Sequence, residues 1–283
     1  MSQTAFNLPY IDLLLQLLAE DDPDMAVAMQ RHVHWGYWPD PNQAQQTAPD
    51  YAQAAENLTQ QIVTAAGVGD GMQVLDVGCG IGGTIASLND QFSNMTLTGL
   101  NIDPRQLEKA RATITARESN TVTFVEGDAC ALPFEAESCD RLLAVECIFH
   151  FGDRQRFFQE AFRVLKPGGK LILSDFLPAD WLIPGLQLTQ ALPFFTPFYG
   201  NFHLDFTAAD YSRLAKETGF EFTLSQDITH NTLPTYDFLL KLGIEAPQHQ
   251  HRFEAGLETL VMAGLSYTHS LAYFILGFEK PAA

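Results

Sequence analysis

Basic residues are scarce in this sequence. Its 283 residues include 16 lysines and arginines against 34 aspartates and glutamates, which gives a formal net charge of -18. No run of lysine or arginine occurs, and a surface of this sign repels a phosphate backbone. We therefore expect no nucleic-acid partner and attribute the acidic excess to a well-solvated surface.

Long apolar runs are missing as well. No stretch approaches the roughly 20 apolar residues that span a bilayer, and the N-terminal residues lack the basic start of a secretion signal. No Cys-x-x-Cys pair occurs among the cysteines, which is typical of reduced, mostly buried thiols. The cysteines are Cys79, Cys130, Cys139 and Cys147. We expect a cytoplasmic protein without a membrane span.

A metal site is not indicated either. His32 and His34 lie two residues apart, but no cysteine, aspartate or third histidine stands beside them at ligand spacing. We predict aromatic packing for this segment and no bound metal.

What the sequence does contain is a glycine-rich segment at positions 74–83, Val-Leu-Asp-Val-Gly-Cys-Gly-Ile-Gly-Gly. Its apolar start predicts a buried strand, and Gly78, Gly80 and Gly82 predict a turn that lets the backbone approach a ligand. Amides at the start of the next helix would face a carboxylate or phosphate. No Gly-Lys-Ser/Thr follows, which argues against a P-loop, and the spacing is not the Gly-x-Gly-x-x-Gly of dinucleotide sites.

The segment resembles the first motif of the class I S-adenosylmethionine-dependent methyltransferases, an acid followed by Gly-x-Gly-x-Gly, which Asp76 and the three glycines match. Gly127-Asp128-Ala129 is similar to the family's adenine loop, and Leu165-Lys166-Pro167-Gly168-Gly169 to its turn before the fifth strand. The resemblance covers about residues 74–175 and is to the small-molecule branch of tocopherol, sterol and sugar O-methylating enzymes. It implies S-adenosyl-L-methionine as cofactor and S-adenosyl-L-homocysteine as product.

The implied fold is α/β, with a Rossmann-like, seven-stranded, mostly parallel sheet. The apolar patterns predict strands at about 74–77, 95–100, 121–126, 139–146, 170–175, 220–228 and 271–279, and the last two should form the family's antiparallel pair. We predict a helix at about 51–66 capped by Asp50. The expected organisation is an N-terminal helical lid at 1–50 and a methyltransferase domain at 51–283, with a substrate cap inserted after strand 5 at about 179–206.

The resemblance assigns a set of cofactor-binding residues to strand ends and loops. Asn101 ends the second strand, where most of these enzymes have an acid, and an amide can still bond a ribose hydroxyl. Asp103 before Pro104 is predicted to be a helix cap. Asp128 would accept from the exocyclic amine of adenine. The full set is Tyr37, Asp76, Gly78, Cys79, Gly80, Asn101, Ile102, Gln106, Asp128 and Ala129.

Catalytic residues are expected at the ends of the fourth and fifth strands, since open α/β sheets bind ligands at that edge. The spacing of Glu146, His150 and Asp175 is similar to that of small-molecule O-methyltransferases. It implies His150 as general base, Asp175 orienting it or polarising the acceptor, and Glu146 nearer the methionyl end. The alternative for His150 is packing between its phenylalanine neighbours.

Residues 181–204 carry no formal charge and are rich in aromatic side chains, which predicts a substrate wall over the same edge. The expected substrate-binding residues are Trp181, Phe194, Phe195, Phe198 and Tyr199. The leading hypothesis is methylation of a small, apolar or aromatic metabolite, most simply at oxygen and in secondary metabolism. N- or C-methylation, a nicotinamide-dependent oxidoreductase and a catalytically inactive cofactor-binding protein are the alternatives. The sequence indicates neither the acceptor nor the oligomeric state.

Overall fold

The computed structural model describes residues 9–19, 23–185, 206–245 and 252–282. Its strands are β1 Gln73–Val77, β2 Thr96–Asn101, β3 Thr121–Glu126, β4 Cys139–Ala144, β5 Leu165–Pro178, β6 Glu221–Asp227 and β7 Leu271–Glu279. They form a seven-stranded sheet in the order β3-β2-β1-β4-β5-β7-β6. β1 to β5 pair in parallel, and β7 is antiparallel to both β5 and β6. The predicted mostly parallel sheet with its antiparallel closing pair is confirmed.

Helices cover both faces of this sheet. In the described part of the chain they include α1 Pro9–Ala19, α2 Pro23–Ala28, α3 Ala48–Ala66, α4 Gly83–Gln91, α5 Pro104–Thr113, α6 Arg154–Val164, α7 Ala208–Thr218, α8 Thr229–Thr232, α9 Pro234–Glu245 and α10 Arg252–Tyr267. Within the described ranges, no helix is long and apolar enough to cross a membrane.

Alternate residues along each central strand point to opposite faces, and each face has its own apolar core. Leu75 and Val77 of β1 join a cluster with side chains of α6 and α7, such as Phe158. Val74 joins the cluster of α3 and α4 on the other face, which includes Leu58. Because both faces are covered, the strand ends at the carboxyl edge are left to form a site.

The structure corrects two predicted element boundaries. α3 begins one turn before the predicted start, because the Thr47 side chain, rather than Asp50, caps it by accepting from the Asp50 amide. β5 starts directly after α6, without the predicted break at 166–169. There the Gly168 amide donates to Lys280 O at 2.8 Å, which holds this segment in the sheet. Asp103 does cap α5, as predicted.

Candidate functional site

The turn after β1 depends on its glycines for two different reasons. Gly78 and Gly80 have φ values of +68° and +56°, which favour glycine. A Cβ on Gly78 would lie 2.5 Å from the Cβ of Cys147, so packing alone requires a glycine there. A Cβ on Gly80 would make only ordinary contacts, 3.4 Å to Val33 and 3.5 Å to Gln106. Packing in the described protein therefore leaves room at Gly80 where a ligand could approach the backbone.

Asp76 lies on β1, two residues before Gly78, and is only 2% exposed. No hydrogen-bond donor or cationic side chain of the described residues contacts its carboxyl group. Burial raises the pKa of this group to about 8. A carboxylate is costly to bury without a partner, so this position is suited to a bound cation.

The end of β2 presents a pair of buried amides. Asn101 Nδ2 donates to Gln106 Oε1 at 3.0 Å, and the two residues are 8% and 5% exposed. In this arrangement Asn101 Oδ1 and Gln106 Nε2 have no described protein partner, which leaves one acceptor and one donor for a ligand hydroxyl. The neighbouring Ile102 is 41% exposed and offers an apolar surface beside them. The structure thus brings these three predicted residues together.

The predicted adenine loop follows β3. One oxygen of Asp128 accepts from the Cys130 amide at 2.8 Å and fixes the loop, so the other oxygen is the one left for a ligand. Ala129 is buried at 6% exposure and joins the core beside Leu132.

The segment that contains His32 and His34, for which the sequence predicted aromatic packing, crosses the glycine turn. This strap, residues 31–35, brings Val33 to Gly80, and a Cβ on Gly83 would collide with the carbonyl oxygen of Arg31. His32 anchors the strap to α3 through a 2.8 Å bond between its Nε2 and Glu56 Oε2. The two histidines were visible in the sequence, but their partners on α3 could not be predicted from residue spacing.

His34 completes this anchor. One of its ring nitrogens bonds the Trp35 carbonyl and the other the Thr59 hydroxyl, both at 3.0 Å. Burial lowers the pKa of His34 to about 3. Burial would raise the pKa of Glu56, but hydrogen bonds led by that from His32 lower it to about 2. Each of the two histidines therefore joins the strap to α3 by a hydrogen bond, His32 to Glu56 and His34 to Thr59.

Glu146 lies beyond the end of β4 with φ +48°, a left-handed conformation that ends the strand two residues before the predicted limit. The Trp35 amide of the strap donates to its Oε1 at 3.0 Å, and the Tyr273 hydroxyl donates to the same oxygen at 2.5 Å. Burial nevertheless raises the pKa of Glu146 to about 8. Sequence reasoning missed Tyr273, which lies 127 residues further along the chain.

His150 ends a short 3-10 turn, Ile148–His150, that follows β4. Its Nε2 lies 3.2 Å from the hydroxyl of Tyr10 on α1, and the two rings stack with centroids 5.9 Å apart. Phe149 packs edge-on against the imidazole, with centroids 4.6 Å apart. His150 is therefore packed against Phe149 and in polar contact with Tyr10, and its role as general base stays a prediction. Tyr10 was not predicted.

A search of known families matches residues 75–173 to a methyltransferase domain, a span that contains the turn, Asn101, Asp128, Glu146 and His150. Methyltransferase GfsG of Streptomyces halstedii is 32% identical over 206 residues, covering 72% of this chain and 71% of that protein. The chain belongs to the class I S-adenosylmethionine-dependent methyltransferases. This excludes the nicotinamide oxidoreductase alternative.

Two other comparisons cover nearly the whole methyltransferase. An O-methyltransferase of Pyrenophora dematioidea is 29% identical over 263 residues, which is 90% of this chain and 91% of that protein. The crystal structure of mycolic acid cyclopropane synthase CmaA1, complexed with S-adenosylhomocysteine and CTAB, superposes with a TM-score of 0.75. At 18% identity, covering 95% of this chain and 94% of that one, it supports the fold alone.

The residues of this methyltransferase fit the family's cofactor. The buried carboxyl of Asp76 has no partner in the part of the chain that the structure describes, and the turn at Gly80 leaves room beside the backbone. The amides after β2 offer one acceptor and one donor. These features match a ligand with an ammonium group and ribose hydroxyls.

Asp175 is bonded on both carboxyl oxygens within the described protein. It is completely buried, and its Oδ2 accepts from Arg154 Nη1 at 2.9 Å and from the Tyr211 hydroxyl at 2.5 Å. Its Oδ1 accepts from the Phe176 amide at 2.9 Å. Asp175 thus forms a buried ion pair with Arg154, and its predicted role in orienting His150 or polarising the acceptor stays a prediction.

Some of the remaining predicted residues lie outside the described ranges. Tyr37 is attached to α3, where its amide donates to Ala54 O at 2.8 Å, and a contact with the cofactor stays a prediction. Cys79 is buried, and its amide donates to Leu100 O at 3.1 Å. Trp181 is 70% exposed. Phe194, Phe195, Phe198 and Tyr199 lie outside the described residues.

Proposed function

We propose that this methyltransferase methylates a hydroxyl group of a small, largely apolar metabolite, with His150 as the general base. The observation that carries the proposal is the 3.2 Å contact between His150 Nε2 and the Tyr10 hydroxyl, beyond the end of β4. It identifies a ring nitrogen that already bonds a hydroxyl at the edge where open α/β sheets bind ligands. The Pyrenophora relative is itself named an O-methyltransferase, which supports oxygen as the accepting atom.

S-adenosylmethionine supplies a methyl group on a sulfonium, which a lone pair of the acceptor displaces. A hydroxyl is a weak nucleophile until its proton begins to leave, whereas a neutral amine needs no such help. A histidine side chain, with an ordinary pKa of about 6.5, can take that proton near neutral pH. In this proposal Nε2 of His150 receives the proton. The acceptor hydroxyl replaces the Tyr10 hydroxyl as the hydrogen-bond partner of Nε2.

An apolar acceptor is supported by the aromatic side chains next to His150. Phe149 lies between His150 and Phe176, with 5.9 Å between the two phenylalanine centroids. Trp35 of the strap packs edge-on against Phe176 at 4.8 Å. This wall offers ring faces and few polar groups, which favours a terpenoid-like or aromatic molecule. The lid at 1–50 and the cap at about 179–206 stay predictions, and residues 186–205 of the cap lie outside the described ranges.

The proposed cofactor site uses the residues around the turn. Asp76 receives the ammonium of the methionyl part, and the amide pair of Asn101 and Gln106 bonds the ribose. Asp128 and Ala129 bind the adenine edge, and the exposed Ile102 covers its face. A secondary-metabolite pathway and a cytoplasmic location belong to the same proposal, the latter supported by the four cysteines, which are all free thiols.

The deciding experiment compares His150→Ala with the parent. We would screen hydroxylated terpenoids and phenols with methyl-labelled cofactor, and then measure turnover at saturating cofactor together with cofactor affinity by calorimetry. Removing a general base lowers turnover about 10²–10⁴-fold. His230→Ala, which changes an exposed histidine, is the matched control. A loss of less than about fivefold, with unchanged cofactor affinity, would assign the reaction to an amine or carbon acceptor instead.

A further inference from the structure

Two buried carboxyl groups lie at the carboxyl ends of neighbouring strands, and neither has a cationic partner among the described residues. Asp76 is on β1, paired in register with Leu143 of β4, and Glu146 follows three residues after Leu143. Other buried or half-buried acids of the described residues are paired: Asp175 with Arg154, and Glu56 with Arg31 and His32. No such ion pair includes Asp76 or Glu146 in the described ranges. The site therefore has two acids and needs up to two positive charges from a ligand.

The two acids have different surroundings. Asp76 makes no hydrogen bond to the described protein, so its carboxyl group is open to a donor such as an ammonium. Glu146 already accepts from the Trp35 amide and the Tyr273 hydroxyl, which orient it but bring no charge. A group that is fixed by neutral donors and lacks a counter-charge suits a cation that cannot donate a hydrogen bond. A sulfonium is such a cation.

S-adenosylmethionine carries both an ammonium and a sulfonium, whereas S-adenosylhomocysteine keeps the ammonium and has a neutral sulfur. We propose that Glu146 distinguishes the methyl-donating cofactor from its demethylated product by charge, while Asp76 binds the group that the two share. This rests on the proposed cofactor site but not on the choice of oxygen as acceptor. Loss of the sulfonium charge would leave Glu146 buried without a counter-charge, which favours exchange of product for fresh cofactor.

The charge state of Glu146 depends on the groups that face it. Burial raises its pKa, and bonds from Tyr273 and the strap oppose that effect. The groups that face it are the Tyr273 hydroxyl of β7, which also donates to Ser174 Oγ of β5, the Trp35 amide of the strap and the adjacent Cys147 thiol. Since none of the described groups that bond Glu146 is a cation, binding a cation there should release its proton, and binding a neutral sulfur should not.

The test measures binding without any acceptor, so failure of the proposed O-methylation would not affect it. Calorimetry would give the affinities of S-adenosylmethionine, S-adenosylhomocysteine and sinefungin. In sinefungin a carbon that bears an amine replaces the methylated sulfur, so the ligand is cationic there without a sulfonium. Glu146→Gln is expected to weaken both cationic ligands about tenfold more than S-adenosylhomocysteine. Asp76→Asn should weaken all three alike, and Glu221→Gln, an exposed acid of β6, should weaken none.

An equal loss for all three ligands in Glu146→Gln would show that Glu146 only anchors the strap, and would overturn the proposal, as would no loss at all. If that variant does not fold, the parent protein still decides. Lowering the pH from about 8.5 to 6, across the ordinary range of a raised carboxyl pKa, should reduce the affinity for S-adenosylmethionine more than that for S-adenosylhomocysteine. Parallel pH profiles for the two ligands would refute the proposal.

Discussion

The buried ion pair of Arg154 and Asp175 allows a direct test of whether Asp175 stabilises the fold. Arg154 Nη1 and Asp175 Oδ2 are 2.9 Å apart, and their side chains are 2% and 0% exposed. The guanidinium also lies 4.4 Å from the ring centroid of Phe206 and donates to Tyr211. We predict that Arg154→Leu destabilises the fold severely, because it leaves the Asp175 charge buried with only neutral donors.

Removing one member of a buried ion pair costs about 3–5 kcal/mol. That loss is a large part of the roughly 5–15 kcal/mol that stabilises a typical domain. Asp175→Asn should cost a similar amount, since it leaves the guanidinium buried. The double variant should lose less than the sum of the two, because the second change removes the charge that the first left unpaired.

The assay is urea unfolding followed by circular dichroism, combined with turnover measured on the folded fraction. Arg213→Leu is the matched control, since Arg213 pairs with Asp210 at 2.6 Å but is 63% exposed. Exposed pairs contribute about 0–1 kcal/mol. If Asp175→Asn had the same unfolding free energy as the parent but a lower turnover, the buried-pair argument would be refuted. Asp175 would then be assigned a catalytic role.

Two further predictions concern the turn and the strap. Gly80→Val should abolish cofactor binding in calorimetry while the protein still folds, because the added atoms enter the space beside Gln106. Gly71→Val is the control for backbone strain, since Gly71 has φ +79° and open space around it. If the Gly80 variant bound the cofactor as well as the parent, the site assignment would be wrong. Stability should fall as the pH drops from 6.5 towards 3, because His34 has its pKa lowered to about 3 when folded and the unfolded chain takes up the proton first. His34→Gln, which can still bond Thr59, should flatten that part of the stability profile, and an unchanged profile would refute the assignment.

Much of the cofactor site follows from the sequence, because its residues are local to strand ends. Asp76, the glycines and Asn101 are fixed by the strand-turn-helix pattern, and a parallel sheet brings the ends of β1 and β2 together. Boundaries were less predictable where a side chain decided them, as at Thr47 and at the left-handed Glu146.

The sequence by itself determined the fold class, the family and the cofactor turn, since period, order and spacing are properties of the chain. Only the tertiary structure decided which distant side chains meet. Tyr10 lies 140 residues from His150, Tyr273 lies 127 from Glu146, and Arg154 lies 21 from the Asp175 that it neutralises. Such pairs form because packing against the folded sheet buries polar groups, and each buried polar group requires a partner. The local sequence pattern does not show which distant residue that partner is.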